Sequence, residues 1–430
     1  MAHNTIRQGF ADLSQRLNRF PQGAPATDLL FRILELLFSQ REAELVAMLP
    51  IRPFTAERAA RIWRMSRARA LEILNELSSR AILLDIEGED GTTYVLPPPM
   101  AGFFEFSMMR VRNDIDQKLL AELFHQYMNV EEEFIRALFT GGETQLGRVF
   151  VDETSLPSHP SLEVLDFERA SMVVETASHI GIGMCYCRHK MHHLDRSCDA
   201  PMDICMTFNN TAASLTRHGI ARAVDRSECL ERLDEARDRG LVQFGENVQQ
   251  RVNFICNCCG CCCEALIAAR RFGHLHPIQT TNFIPEINPE DCTGCGKCVN
   301  ACPVEAMSLV SANDPRRPKR KLSRLSDELC LGCGVCVLAC PEGGITLHTR
   351  ERRTVTPVDS VRRTVAMAVE RGTLQHLIFD NNALASHRAM AALLGAILQL
   401  SPVKKVMASS QLGSRYLDAL IEWQADSSIH

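Results

Sequence analysis

Cysteines occur twice at one spacing in the second half of the chain. Each run has the pattern C-x-x-C-x-x-C-x-x-x-C-P. The eight residues are Cys292, Cys295, Cys298, Cys302, Cys330, Cys333, Cys336 and Cys340. Thiolates at this spacing are typical ligands of two [4Fe–4S] clusters, whereas zinc sites usually show two C-x-x-C pairs with a long gap between them. We therefore predict two such clusters here.

The spacing also predicts how the two clusters share their ligands. The first three cysteines of a run lie in one tight loop, and the fourth begins a helix that leads away, so the fourth ligates the other cluster. Cluster 1 is then expected to use Cys292, Cys295, Cys298 and Cys340. Cluster 2 is expected to use Cys330, Cys333, Cys336 and Cys302.

Residues 283–349, which contain both runs, resemble the bacterial two-[4Fe–4S] ferredoxins. The resemblance implies two β-strand pairs, two short helices and one-electron transfer at low potential. The gap between the runs is longer than in minimal ferredoxins and is basic. Its cations are Arg316, Arg317, Lys319, Arg320, Lys321 and Arg324. They form either a solvated hairpin, a docking patch for an acidic partner, or a field that offsets anionic clusters.

Eleven further cysteines lie upstream of these runs. Four follow the pattern C-x-C-x10-C-x6-C, namely Cys185, Cys187, Cys198 and Cys205. Six more fall within eight positions, namely Cys256, Cys258, Cys259, Cys261, Cys262 and Cys263. Adjacent side chains cannot all point into one apolar core, so the second set favours metal binding. Cys229 stands alone in a predicted helix and is expected to be a core residue.

We predict that two to four cysteines of the later set join the earlier four to hold one or two additional iron–sulfur clusters, a third and a fourth. Tetrahedral zinc is the alternative at this central site. A helix predicted from residue 265 would place Cys261–Cys263 at its N terminus, where backbone amides stabilise thiolates. Arg188, which follows the C-x-C pair, would offset the charge of an anionic cluster.

The first 100 residues predict a small helical domain that ends in a hairpin. Helices are expected over 55–63 and 66–80, and strands at 82–86 and 92–96 flank an acidic turn. This order resembles winged-helix domains, some of which bind DNA. Residues 51–100 carry seven arginines and seven acidic residues, and the predicted wing is acidic. DNA is therefore a disfavoured partner, because a wing against phosphate needs cations.

The predicted fold class is α+β in a multidomain chain. We expect a winged-helix-like head (1–100), a helical connector and linker (101–164), a Cys-rich metal- or cluster-binding domain (165–280), a ferredoxin module (281–350) and a small α/β tail (351–430). In the tail, helices are predicted over 358–371, 386–400 and 413–423, with strands at 377–379 and 404–407.

Composition and motifs limit the cellular compartment in which we expect the protein and the cofactors that it binds. An odd count of 19 cysteines at cluster spacing argues against a disulfide framework. No apolar run reaches 18 residues and no apolar N-terminal stretch is seen, so we expect a cytoplasmic protein without membrane insertion. Clusters and thiolates on this scale suit an oxygen-poor setting. No P-loop or dinucleotide fingerprint is present.

The order of the cysteine motifs over 165–430 resembles the multi-cluster ferredoxin-like proteins of anaerobic bacteria, which implies redox work without naming a reaction. The sequence thus favours an iron–sulfur oxidoreductase or its electron-transfer subunit. Its partner would be a low-potential donor or acceptor protein, and a small-molecule substrate is compatible with the central site. Two alternatives remain: a redox- or oxygen-sensing transcriptional regulator that uses the head, and an iron–sulfur assembly or scaffold factor.

Overall fold

The computed structural model describes residues 2–156, 165–381 and 384–398. The predicted strand at 404–407, the predicted helix at 413–423 and residues 157–164 of the predicted connector and linker lie outside these ranges. The described residues fall into two compact units. Unit 1 comprises those up to Thr144, residues 217–220 and those from Val358 onward, and unit 2 comprises residues 145–216 and 221–357.

The N-terminal part of unit 1 contains eight α-helices and three short strands within the described range. The helices are α1 Ala2–Leu17, α2 Asp28–Leu37, α3 Gln40–Ala47, α4 Ala56–Trp63, α5 Arg67–Ser79, α6 Phe104–Phe106, α7 Gln117–His125 and α8 Glu133–Thr140. The strands are β1 Phe54–Thr55, β2 Leu84–Gly88 and β3 Gly91–Val95, which form an antiparallel sheet in the order β1-β3-β2.

Local sequence explains how α4 and α5 begin and end. The hydroxyls of Thr55 and Ser66 accept hydrogen bonds from the first turns of α4 and α5, as N-caps do. Arg64 ends α4 in the left-handed conformation, with φ of 54°. Two helices joined by a tight turn and followed by the β2–β3 hairpin are the elements that the sequence predicts for the head. Its identity as a winged helix stays a prediction.

The acidic hairpin of the head forms ion pairs and hydrogen bonds with other residues of unit 1. The Asp85 side chain is buried and accepts hydrogen bonds from Arg217 at 2.7 Å and from His218 Nε2 at 3.0 Å. Glu87 forms a second ion pair with Arg217 at 3.0 Å. These carboxylates therefore serve intramolecular packing.

Unit 2 begins with a six-stranded antiparallel sheet in the order β4-β8-β9-β6-β5-β7. Its strands are β4 Gly147–Val149, β5 Ile180–Met184, β6 Asp203–Phe208, β7 Ala221–Ala223, β8 Val242–Glu246 and β9 Phe254–Cys258. The helices among them are α9 Ala170–Thr176, α10 Tyr186–His193, α11 Asn209–Arg217, α12 Arg226–Asp238 and α13 Glu264–Arg271. Cys229 on α12 is fully buried in the apolar core against the sheet, as expected for a lone helical cysteine.

The remainder of unit 2 has the elements that the ferredoxin resemblance implies. Two antiparallel strand pairs are formed by β10 Phe283–Ile287 with β13 Ile345–Thr349, and by β11 Met307–Ser311 with β12 Lys321–Leu325. The two short helices are α14 Lys297–Ala301 and α15 Val335–Leu338. The chain is thus a mixed helix-and-sheet protein with a ferredoxin-like module.

The described residues from Val358 onward are mainly helical and belong to unit 1. It consists of α16 Ser360–Glu370, α17 Leu374–Ile378 and α18 Ala385–Leu398. The predicted strand at 377–379 is wrong, because its apolar residues lie at the end of α17. Leu374 and Leu377, three positions apart, share one helical face that packs against Ile51 and Val365.

Asp380 follows α17 and holds this segment to the head. Its carboxylate is fully buried and pairs with Arg52 at 3.2 Å and with Arg58 at 3.1 Å.

None of the helices that the structure describes combines the length and apolar character needed to cross a bilayer.

Candidate metal centres

Four glycines shape the two cysteine loops of the ferredoxin module. Gly294, Gly296, Gly332 and Gly334 all have positive φ, between 69° and 89°. A Cβ atom on Gly332 would lie 2.2 Å from the carbonyl oxygen of Phe283, so a side chain there would collide with β10. Only glycine accepts this conformation without strain, and it lets each loop curl back on itself before its short helix begins.

The module contains two cavities, each lined by four of the eight predicted ligands. The first has a volume of about 330 Å³, and its cysteines are Cys292, Cys295, Cys298 and Cys340. The second has a volume of about 350 Å³, and its cysteines are Cys302, Cys330, Cys333 and Cys336. These are the two sets into which the spacing divides the cysteines. The residues present therefore fit one cubane in each cavity, with three thiols from one run and one from the other.

Backbone amides point at several of these thiols. The N–H groups of Ser323, Gly332 and Ala306 donate to the sulfurs of Cys292, Cys330 and Cys302, at 3.4, 3.4 and 3.2 Å. Such donors stabilise sulfur that carries negative charge and tune the potential of a cluster. Burial raises the pKa of the Cys333 thiol to about 12. Metal loading there must displace a proton, so it becomes easier as pH rises.

The ten central cysteines gather at one edge of the six-stranded sheet. Strands β5 and β9 both pair antiparallel with β6, so they run in the same direction and end at the same edge. Cys185 immediately follows β5 and precedes α10, and Cys258 ends β9. Cys205 lies near the start of β6, at that edge too. Residues distant in sequence therefore meet here.

One subset, here called the four-thiol group, consists of Cys198, Cys259, Cys261 and Cys262. All four sulfurs lie within 4.8 Å of one another. Cys198 Sγ is 3.5 Å from Cys259 Sγ and 3.8 Å from Cys262 Sγ. Cys262 Sγ is 3.7 Å from Cys261 Sγ, and Cys261 is exposed.

The other subset, here called the six-thiol group, consists of Cys185, Cys187, Cys205, Cys256, Cys258 and Cys263. Its members form a continuous chain of thiol contacts. Cys205 Sγ lies 3.8 Å from Cys256 Sγ, and Cys256 contacts Cys258. Cys263 contacts both Cys258 and Cys187, and Cys187 contacts Cys185.

Each group favours at least one thiolate. The pKa of Cys263 lies well below its ordinary value, because Cys187 and Cys258 donate hydrogen bonds to its sulfur and backbone amides in the first turn of α13 do the same. A hydrogen bond from the Cys262 thiol lowers the pKa of Cys259 to about 4. A thiolate is the form that binds metal and acts as a nucleophile.

Arg188 lies beside both groups and is 1 % exposed. Its guanidinium donates to the carbonyl oxygens of Pro201 and Asn257, each at 2.8 Å. It also forms a hydrogen bond with the Cys198 thiol. Burial opposes its charge, but the nearby sulfurs of Cys185 and Cys259 raise its pKa above the ordinary value. This side chain is the buried cation that the sequence predicts beside the thiols.

A buried ion pair between Lys190 and Glu264 was missed by the sequence reasoning. Their side chains are 0 % and 2 % exposed and in direct contact. Lys190 lies on α10, which follows Cys185, and Glu264 is the first residue of α13, which follows Cys263. The pair joins the two helices whose N termini carry the cysteine loops. The sequence offered one signal for this pair: Lys190 lies just after the C-x-C motif, and Glu264 directly follows Cys263.

The central loop also touches the ferredoxin module. A Cβ atom on Gly260 would lie 2.5 Å from the carbonyl oxygen and 3.0 Å from Cα of Pro303. Gly260 separates Cys259 from Cys261, and Pro303 follows Cys302. The backbone that carries the four-thiol group is thus in contact with the backbone that carries a thiol of the second cavity.

Pairs of cysteine substitutions test the predicted sharing of ligands. Cys302→Ala with Cys330→Ala removes two ligands of cluster 2 and should cost about four irons per chain. Cys302→Ala with Cys292→Ala removes one ligand from each cluster and should cost about eight. Iron and acid-labile sulfide assays on anaerobically purified protein measure both. The opposite pattern, eight for the first pair and four for the second, would show that each run binds its own cluster.

Removal of one partner of the Lys190–Glu264 pair should destabilise unit 2. Lys190→Met removes the cation that lies against the buried Glu264 carboxylate and should lower the free energy of unfolding by about 3–5 kcal/mol. The double change Lys190→Met and Glu264→Met should recover most of this loss. Arg270→Met, which breaks the exposed pair with Glu305 also made by α13, is the control and should cost under about 1 kcal/mol. Anaerobic denaturant unfolding measures all three, and equal losses for Lys190→Met and Arg270→Met would contradict the buried role.

Comparison with known proteins identifies one part of the chain. The family of 4Fe-4S dicluster domains matches residues 291–345. A 27-residue stretch is 59 % identical to one component of the Na(+)-translocating ferredoxin:NAD(+) oxidoreductase complex of Acetobacterium woodii. That match covers 6 % of this chain and only 8 % of the relative's length. No solved structure matches the chain significantly. Residues 291–345 are therefore a 4Fe-4S dicluster domain, an iron–sulfur module of electron transfer.

Proposed function

We propose that this protein is an iron–sulfur oxidoreductase, or the electron-transfer subunit of one. In this proposal two [4Fe–4S] clusters exchange single electrons between a carrier protein and a metal centre held by the central cysteines. The contact between Gly260 and Pro303 carries the proposal, because it brings the two cysteine systems together. The dicluster domain supplies the one-electron chemistry. The packing of Gly260 on Pro303 sets the route by which electrons pass between the two cysteine systems.

The second cavity lies on the side of the dicluster domain that faces the central thiols. Cys302 lines that cavity and is followed by Pro303, against which Gly260 packs. Cys259 and Cys261 flank Gly260. Only short backbone segments therefore separate the sulfurs of the two systems. Electron tunnelling falls steeply with distance, so such packing favours exchange between them.

The first cavity has the features of the site that exchanges electrons with the carrier protein. Cys295, which lines it, is exposed, whereas Cys330 and Cys336 of the second cavity are buried. The β11–β12 hairpin lies over this cavity: Ser323 Oγ is 3.0 Å from Cys298 Sγ. That hairpin carries the six cations between residues 316 and 324. Arg317 and Arg320 pair with Asp314. The attraction to a carrier therefore rests on Lys319, Lys321 and Arg324. A basic surface over the more exposed site fits an acidic electron carrier.

The head gives no support to a DNA-binding role. Arg52 and Arg58 are committed to the buried carboxylate of Asp380. Arg67 on the expected recognition helix pairs with Glu57, which keeps the pKa of Glu57 low, at about 2. Cations that are already paired with carboxylates of the same chain are less available to phosphate. We therefore favour electron transfer over the regulator.

A bulky residue at position 260 should uncouple the two cysteine systems. Gly260→Val would push the loop away from Pro303, so electron exchange should slow at least about 10-fold while iron and sulfide content stay unchanged. Photoreduction followed by freeze-quench EPR would follow the dicluster signals and any central signal separately. Gly88→Val is the control, because a Cβ there meets nothing closer than 3.6 Å. Unchanged rates in a fully loaded Gly260→Val protein would sink the proposed route.

Charge reversal on the β11–β12 hairpin should weaken docking of an acidic carrier. The variant Lys319→Glu, Lys321→Glu, Arg324→Glu should lower the second-order rate of reduction by a reduced acidic ferredoxin about 10–100-fold at low salt. The loss should shrink as salt rises, since salt screens the attraction. The control Arg61→Glu, Lys118→Glu, Arg136→Glu changes net charge equally on unit 1. Equal effects of the two variants would mean that net charge matters and the hairpin does not.

A further inference from the structure

We infer that the ten central cysteines build two different centres, and that the four-thiol group binds one tetrahedral metal ion without inorganic sulfide. The ion is a thiophilic divalent metal, zinc or iron. The six-thiol group is then the site left for an additional iron–sulfur cluster. This assignment deepens the proposed function and rests on it only for the redox role of the six-thiol group.

Sulfur–sulfur distances separate the two kinds of centre. A metal ion bound tetrahedrally at about 2.3 Å by four thiolates places their sulfurs about 3.8 Å apart. A cubane binds each cysteine through a different iron, so the sulfurs stand about 6 Å apart. In the four-thiol group the close pairs are 3.5, 3.7 and 3.8 Å apart. All its sulfurs lie within 4.8 Å of one another, which fits a single ion.

The ferredoxin module provides an internal comparison. Its cysteines line two separate cavities, four to each, and no three of these sulfurs lie within 4.8 Å of one another, as expected for sulfurs spaced round a cubane. Across the described ranges, the four-thiol group is the one set of three or more histidine, cysteine or carboxylate ligands drawn together within 4.8 Å. The six-thiol group has one comparably short pair, Cys205 Sγ and Cys256 Sγ at 3.8 Å, but no third sulfur of its described residues joins that pair within 4.8 Å. The meeting of four sulfurs at one point is thus what distinguishes the four-thiol group from the six-thiol group and from the module.

Backbone reach also favours a single ion. Three of the four thiols come from Cys259, Cys261 and Cys262, and the N–H of Cys263 donates to the carbonyl oxygen of Cys259 at 3.2 Å across this turn. These three ligands fall within four positions, whereas the first three cysteines of the first ferredoxin run span seven, so they reach one centre more readily than separate corners of a cubane. The fourth, Cys198, comes from the loop between α10 and β6.

Charge fits the same assignment. Four thiolates around one divalent ion leave a net charge of about −2. Arg188, 1 % exposed, forms a hydrogen bond with the Cys198 thiol and lies near Cys259. One buried guanidinium offsets about half of that charge. The ion would stabilise the loop that presents Gly260 to Pro303.

Metal and sulfide counting on anaerobically purified full-length protein tests the assignment. Cys198→Ala with Cys262→Ala should remove about one zinc or iron per chain and leave acid-labile sulfide unchanged. The matched variant Cys187→Ala with Cys256→Ala, in the six-thiol group, should lose iron and sulfide together. Loss of about four irons and four sulfides from the first variant would overturn the inference, because it would place a cubane there.

A second measurement avoids dependence on the folding of these variants. X-ray absorption at the zinc edge of the unaltered protein should show four sulfurs at about 2.3 Å and no metal neighbour. If zinc is absent, the ion is iron, and total iron should exceed acid-labile sulfide by about one per chain. Absence of zinc together with equal iron and sulfide would overturn the inference. None of these counts depends on electron transfer, whose own failure would appear in the rates of Gly260→Val.

Discussion

The compensation of buried sulfur charge by Arg188 is the interaction on which the central part of the protein depends. Thiolates packed at one sheet edge repel one another and cannot be buried without a cation or a metal. Arg188 is 1 % exposed and is held by the carbonyl oxygens of Pro201 and Asn257, so its charge stays fixed between the two thiol groups. A lysine could supply a charge but not this planar set of donors.

The same part of the fold places the central thiols near the ferredoxin module. The Lys190–Glu264 pair holds α10 and α13 together, and these two helices follow the cysteine loops. The loop before α13 can then pack on Pro303, because Gly260 has no side chain. The electron route that we propose needs such a fixed, short separation. The buried pair and the missing Cβ atom supply it by packing.

Sequence reasoning succeeded where the signal is local. The strand pairs and short helices of the ferredoxin module are those implied by the resemblance to two-cluster ferredoxins, and the helix predicted from residue 265 is present as α13. Sequence reasoning failed where tertiary contacts determine which secondary structure a segment adopts. The apolar triplet at 377–379 reads equally well as strand or helix, and contacts of Leu374 and Leu377 with Ile51 settle it as helix. The six-stranded sheet of unit 2 was not foreseen, since its pairing joins strands far apart in sequence.

The sequence by itself determined that residues 291–345 are a dicluster domain, because cubane ligation is set by cysteine spacing within short loops. For the cysteines between 185 and 263 it predicted metal binding without dividing them into sites. Only the tertiary structure decided which central cysteines meet. Cys198 joins residues that follow it by about sixty positions, because β5 and β9 run in one direction on either side of β6 and end at one edge. No spacing along the chain encodes that meeting.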